Sequence, residues 1–231
     1  MRFLRSIFPV VGAFILCSGA AAQDQAPLAV LETLPPTEVL GAGWSRDISL
    51  LFDPASKPAQ IVGGTARLPD SFRRDRQNAV ESPTNRISGW THAHFDFQAK
   101  NRTVRYEVQV ERYRSKQKLT EDFDRLLAFN AEQNQKKEIH GIGEAAVVYR
   151  NASGMTLWFR RGTFQVWIGP MNSTSSWEND TGLQQLTKAF DKRLAALLLE
   201  KKPQLEPKVG KEKRARRCDR SRWSRTAPCA S

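Results

Sequence analysis

Cysteine is nearly missing from this 231-residue chain, and the three that occur, Cys17, Cys218 and Cys229, stand towards its two ends. A fold built from the residues between them has to be stable without disulfides, and it offers no thiol as nucleophile or metal ligand. Histidine is as scarce. His92, His94 and His140 are the whole supply, short of the second histidine cluster that hydrolytic metal sites generally use. Beyond residue 22 no apolar run approaches the roughly 17 to 25 residues of a membrane helix, so a soluble mature protein is expected. Ser173, Ser175 and Ser176 follow no nucleophile-elbow pattern, and Gly63-Gly64 is a turn-like pair rather than a phosphate-binding loop. No motif implies a cofactor.

What is present begins at the N-terminus. Arg2 and Arg5, an apolar stretch from Ile7 to Leu16, and Ala20-Ala21-Ala22 ahead of Gln23 have the order of a cleavable secretory signal peptide. Cleavage near Ala22 is expected, which makes the mature protein periplasmic or secreted. Cys17 follows Phe14-Ile15-Leu16, which lacks the small residue that precedes a lipid-accepting cysteine. The formal net charge of +12 is then distributed unevenly. Residues 1 to 22 carry +2, and residues 23 to 200 set twenty-three basic side chains against twenty-one acidic ones. Residues 201 to 231 carry eleven basic against three acidic.

Basicity therefore belongs to a C-terminal tail, and the folded part is nearly neutral, which argues against a nucleic-acid-binding fold. In that tail Lys211, Lys213, Arg214, Arg216 and Arg217 precede Trp223 in a stretch too polar to bury itself. Two readings stand: a solvated tail with no specific partner, or one that meets anionic partners (lipid headgroups, lipopolysaccharide, acidic glycans or extracellular nucleic acid) with an affinity that falls with salt. In an oxidising compartment Cys218 and Cys229 are placed to close a short loop.

Between the ends the chain divides into an extended lead-in over 23–45, interrupted by Pro27, Pro35 and Pro36 and expected to lie over the domain surface, and one globular domain over 46–201. Ile48, Leu50 and Phe52 alternate into a first strand that stops at Asp53-Pro54, and a loop-rich stretch follows to Arg86, with a short strand at Gln60 to Val62. Two strands joined at Lys100-Asn101 make sense in one register, pairing residues whose numbers sum to 201. One face is then apolar, with Thr91 opposite Val110, Ala93 opposite Val108, Phe95 opposite Tyr106 and Phe97 opposite Val104. The other sets Trp90, His92, His94 and Asp96 against Glu111, Gln109, Glu107 and Arg105.

A helix capped by Thr120 follows, with Lys136 and Lys137 near its C-terminal end. A three-strand meander comes next, turning at 151–154 and at Arg161-Gly162, with Phe159 opposite Phe164 and Leu157 opposite Val166. Leu183, Leu186, Phe190, Leu194, Leu197 and Leu198 recur at three and four, predicting a final helix from Thr181 to Lys201. The expected fold is α+β: a mainly antiparallel sheet of about five to six strands with two amphipathic helices packed on it.

The run Gly141-Ile142-Gly143-Glu144-Ala145, then Arg161-Gly162-Thr163-Phe164-Gln165-Val166-Trp167-Ile168 and the closing amphipathic helix, resembles the second half of small exported bacterial domains of the PsbP/Mog1-like type. The resemblance is one of layout. It implies a non-enzymatic accessory or binding role and assigns no catalytic residue.

Two constellations carry possible chemistry. His92 and His94, two apart on a strand, make a usable metal pair, with Asp96 or Glu107 as the geometric third ligand of a metal-binding protein or metal-dependent hydrolase. The same register supplies Asp96 with Arg105 and His94 with Glu107, which are ordinary cross-strand pairs. Tyr149, Trp158 and Trp167 project from the polar side of the meander, where indoles can stack on sugar rings or grip a peptide, or pack beneath a helix as core.

Overall fold

The computed structural model describes residues 27–63, 68–131, 135–151, 154–170 and 176–201. The signal-peptide stretch, all three cysteines and the basic segment with Lys211, Lys213, Arg214, Arg216 and Arg217 lie outside the described residues. In chain order the elements are α1 (Val30–Thr33), α2 (Thr37–Leu40), β1 (Trp44–Phe52), β2 (Gln60–Val62), α3 (Asp70–Glu81), β3 (Ile87–Ala99) and β4 (Arg102–Tyr113). There follow α4 (Lys116–Ala131), β5 (Gln135–Glu138), β6 (Ala145–Asn151), β7 (Gly154–Arg161), β8 (Phe164–Pro170) and α5 (Thr181–Glu200). The strands form one antiparallel sheet in the order β2-β1-β3-β4-β8-β7-β6-β5.

The class is α+β, but five to six strands and two helices is an undercount: the described residues form eight strands, three helices longer than two turns and two single helical turns. Residues 135–138, with Lys136 and Lys137, are not the cationic end of a helix. They add an edge strand to β6. The stretch to Arg86 contains α3, whose apolar side is confined to Phe72, Ala79 and Val80 and is masked in the sequence by Arg73-Arg74-Asp75-Arg76. α4 begins four residues before Thr120, because Ser115 Oγ accepts the Lys118 N–H at 3.2 Å while the Thr120 hydroxyl donates back to the Lys116 carbonyl.

The β3–β4 pairing runs from Trp90 opposite Glu111 to Ala99 opposite Arg102, every pair summing to 201. β7 and β8 are offset by two residues from expectation: Phe159 faces Val166, Leu157 faces Ile168, and Trp158 stands directly opposite Trp167. The turn is therefore centred one residue later, on Gly162-Thr163. Gly162 adopts φ 61°, its N–H donates to Glu144 Oε1, and a β-carbon there would meet Leu198 at 2.8 Å. Arg161 is held by a bidentate bond to Asp191 on α5, at 2.6 and 3.0 Å.

One face of the sheet carries the main core. Leu183, Leu186, Phe190 and Leu194 of α5 are fully buried against Phe95, Val108, Leu157, Phe159, Val166 and Ile168. The lead-in is not extended over the surface: its described part forms α1 and α2 and joins this core through Val30, Leu34 and Leu40, whose apolar side chains bury against it. It is pinned by a buried ion pair, Arg112 Nη2 to Asp53 Oδ1 at 2.8 Å. Asp53 also accepts the Val30 and Ala55 amides and the Ser56 hydroxyl, and Arg112 donates to the Leu28 and Ser88 carbonyls. Removing two ions from water is costly, and this pair offsets that cost by using most of its donors and acceptors.

The opposite face is covered in two patches. α3 and the start of α4 close over Leu50, Phe52, Trp90 and Tyr113 at one end, through Val80 and Leu119. The rest of α4 closes over Val147 and Tyr149 at the other, through Phe123. Among the described residues no helix is long and apolar enough to cross a membrane.

Candidate functional site

Between those two patches a strip of the second face is left to polar and amphipathic side chains. Alternation along the strands puts His92, His94 and Asp96 of β3, Arg105, Glu107, Gln109 and Glu111 of β4, Gln165, Trp167 and Gly169 of β8, and Trp158 of β7 on it. The floor at one end is Trp90. Phe72 meets it edge-on at 5.7 Å, and the Arg76 guanidinium lies 5.6 Å from its ring centroid while binding Glu111 Oε1 at 2.8 Å. Burial pushes the Glu111 carboxyl above its ordinary range, against the opposing pull of Arg76 and Tyr113.

Both histidines are buried, at 1% and 3% exposure. His92 Nε2 donates to Glu107 Oε1 at 2.7 Å. The register sets His94 opposite Glu107, yet the bond is made diagonally by His92. His94 turns instead towards β1, where a bulge at Ser49 brings that hydroxyl to 3.4 Å from Nδ1. The His92 bond holds the Glu107 carboxyl below its ordinary range, whereas burial lowers His94. Asp96 is taken by Arg105 in a bidentate bond at 2.7 and 2.8 Å, and this bond lowers its pKa. Among the described residues no group of three or more His, Cys, Asp or Glu side chains is arranged to hold a metal ion. His140 is exposed, in the turn before Gly141.

The three aromatic candidates separate. Tyr149 is buried beneath α4, its hydroxyl without a hydrogen-bond partner among the described residues. Trp158 is half-buried at the edge of the same cluster. Trp167 is half-buried and belongs to none of the three apolar clusters. The two indoles stand 6.2 Å apart, inclined at 59°. The residue that arranges them is Gly169, which sequence reasoning passes over. A β-carbon there would lie 2.9 Å from Trp167 Cζ2 and 3.0 Å from Cη2, so the indole occupies the room that a side chain would take. The available signal was its position, two residues after a tryptophan on the same strand face.

Beside this pair the β4 partners are polar: Gln109 faces Trp167 and Glu107 faces Gly169. Glu107 Oε1 receives His92 and, at 3.4 Å, Gln109 Nε2. Its second oxygen has no partner among the described residues. The arrangement can therefore bind a ligand that offers an apolar surface to the indoles and a donor to the carboxylate. Comparison with protein-family models, with curated proteins and with solved structures finds no match.

Proposed function

We propose that this chain is an exported, non-enzymatic accessory or binding domain, and that it seats its ligand on the strip between α3 and α4. The observation that carries this reading is the pair of half-buried indoles, Trp158 and Trp167, on a sheet face whose apolar patches at either end are covered by α3 and α4. Aromatic rings left part-exposed beside oriented polar groups are what a binding surface uses, because each buries a large area and retains a polar N–H. The charged groups nearby support binding rather than turnover, since His92 is engaged with Glu107 and Asp96 with Arg105. The basic C-terminal segment adds a contact to anionic envelope components, a reading that rests on its composition.

Acrylamide quenching tests the seat. In a Trp177→Phe background, which removes the other half-buried indole, replacing Trp158 and Trp167 together by Phe should remove most of the quenchable fluorescence of residues 23–201, because Trp44 and Trp90 are buried. Quenching that survives the double change would place the accessible indoles elsewhere and remove the basis of the reading.

A further inference from the structure

We propose that the strip binds an uncharged pyranose ring, with Trp167 as floor and Trp158 as side wall; this rests on the binding reading above and names the class of its ligand. A pyranose has an apolar face of C–H groups and a rim of hydroxyls, so it needs an aromatic surface and, beside it, acceptors that are not already satisfied. Trp167 supplies the first. Its benzo ring fills the space above Gly169, and the half-buried side chain keeps part of its surface accessible. Trp158, directly across the β7–β8 pair and inclined at 59°, bounds that space on one side.

Glu107 supplies the second requirement. It stands opposite Gly169 on the neighbouring strand, about 5 Å away in the hydrogen-bonding direction, and its Oε2 is an acceptor without a protein donor among the described residues. His92 holds Oε1, which fixes the carboxylate and keeps it ionised. Gln109 adds an amide beside the indole, and neither indole N–H has a hydrogen-bond partner among the described residues. The carboxylate sets the charge of the ligand. An anionic sugar brought onto Trp167 would meet Glu107 at close range, so a uronate is disfavoured and a neutral hexose or N-acetylhexosamine fits. An acyl chain would bury Glu107 and Gln109 against hydrocarbon with nothing to bond.

The test uses residues 23–231 with the indole nitrogens labelled by 15N, followed by NMR during titration. The probes are oligomers of glucose and of N-acetylglucosamine, an oligomer of galacturonate, and a mixture of casein peptides. Neutral oligomers should move the Trp158 and Trp167 signals saturably and leave the buried Trp90 signal in place. Trp167→Ala should weaken the binding by about tenfold or more. Gly169→Ala, which displaces the indole without deleting it, should act in the same direction, with far-ultraviolet circular dichroism confirming that both variants fold.

Galacturonate bound as tightly as the neutral oligomers would overturn the assignment of an uncharged ring. Neutral oligomers that leave both signals unmoved would overturn the proposal. If casein peptides then moved those signals, the binding reading would stand without the sugar; if acrylamide failed to reach either indole, the binding reading would fall as well.

Discussion

Glu111 shows how a single side chain registers the packing around it. Its carboxyl lies under α3, bonded to Arg76 and reached by the Tyr113 hydroxyl and the Gln165 amide, and burial raises its pKa above the ordinary 4.5. Between 4.5 and the raised value the native state binds more protons than the unfolded chain, so this residue's contribution to stability falls as pH rises through that window and then levels. Glu111→Gln keeps the shape and removes the titration. Urea unfolding across the acid range should therefore show the wild type losing stability relative to the Gln variant as pH increases; parallel curves would contradict the assignment. The diagonal His92–Glu107 bond belongs to the same scale. The sequence placed His94 opposite Glu107 correctly, but a hydrogen bond depends on side-chain rotation, and a bulge at Ser49 on another strand draws the His94 ring away.

At the scale of elements, what was legible followed from local periodicity. α5 was readable because its apolar positions recur at three and four over twenty residues, and Asp180 caps it through the Leu183 amide. Phe190 lies at its centre, fully buried and edge-on to Phe95 at 5.6 Å. Phe190→Ala should cost about 3–5 kcal/mol, seen as a lower midpoint of denaturant unfolding. A loss below about 1 kcal/mol would show that α5 is not a main support of the core. The β3–β4 register was readable because a slip of one residue inverts both faces. The β7–β8 register was not, since a shift of two residues keeps every side chain on its own face. The choice is made at the Gly162 turn, on which Leu198 and Asp191 of α5 and Glu144 of the loop before β6 converge. α3 is not legible in the sequence because its apolar stripe is narrow and four charged residues run through it.

For the whole molecule, the charge distribution makes the sharpest prediction. Residues 23 to 200 are nearly balanced while residues 201 to 231 carry eleven basic and three acidic side chains. Deleting 202–231 should abolish retention on heparin and on anionic vesicles and leave the unfolding midpoint unchanged. In the full mature chain the same retention should weaken steeply with salt, because each neutralised charge releases counterions. Salt-insensitive retention, or retention that survives the deletion, would refute the tether.

The sequence by itself determined the α+β class, the polarity of each face of the β3–β4 hairpin, the long closing helix and the segregation of charge into the last thirty residues. Each of these is set by neighbours in the chain or by composition, so alternation, three-four spacing and counting suffice to read it. Only the tertiary structure decided that β8 lies against β4, that residues 135–138 extend the sheet, and that α3 and α4 cover its second face at two ends and leave a strip between them. It also decided that Trp158 faces Trp167 and that Gly169 makes room for the indole. These depend on which distant segments bury one another's apolar surface, and a period of two along a strand says which side a residue faces without saying what will cover it.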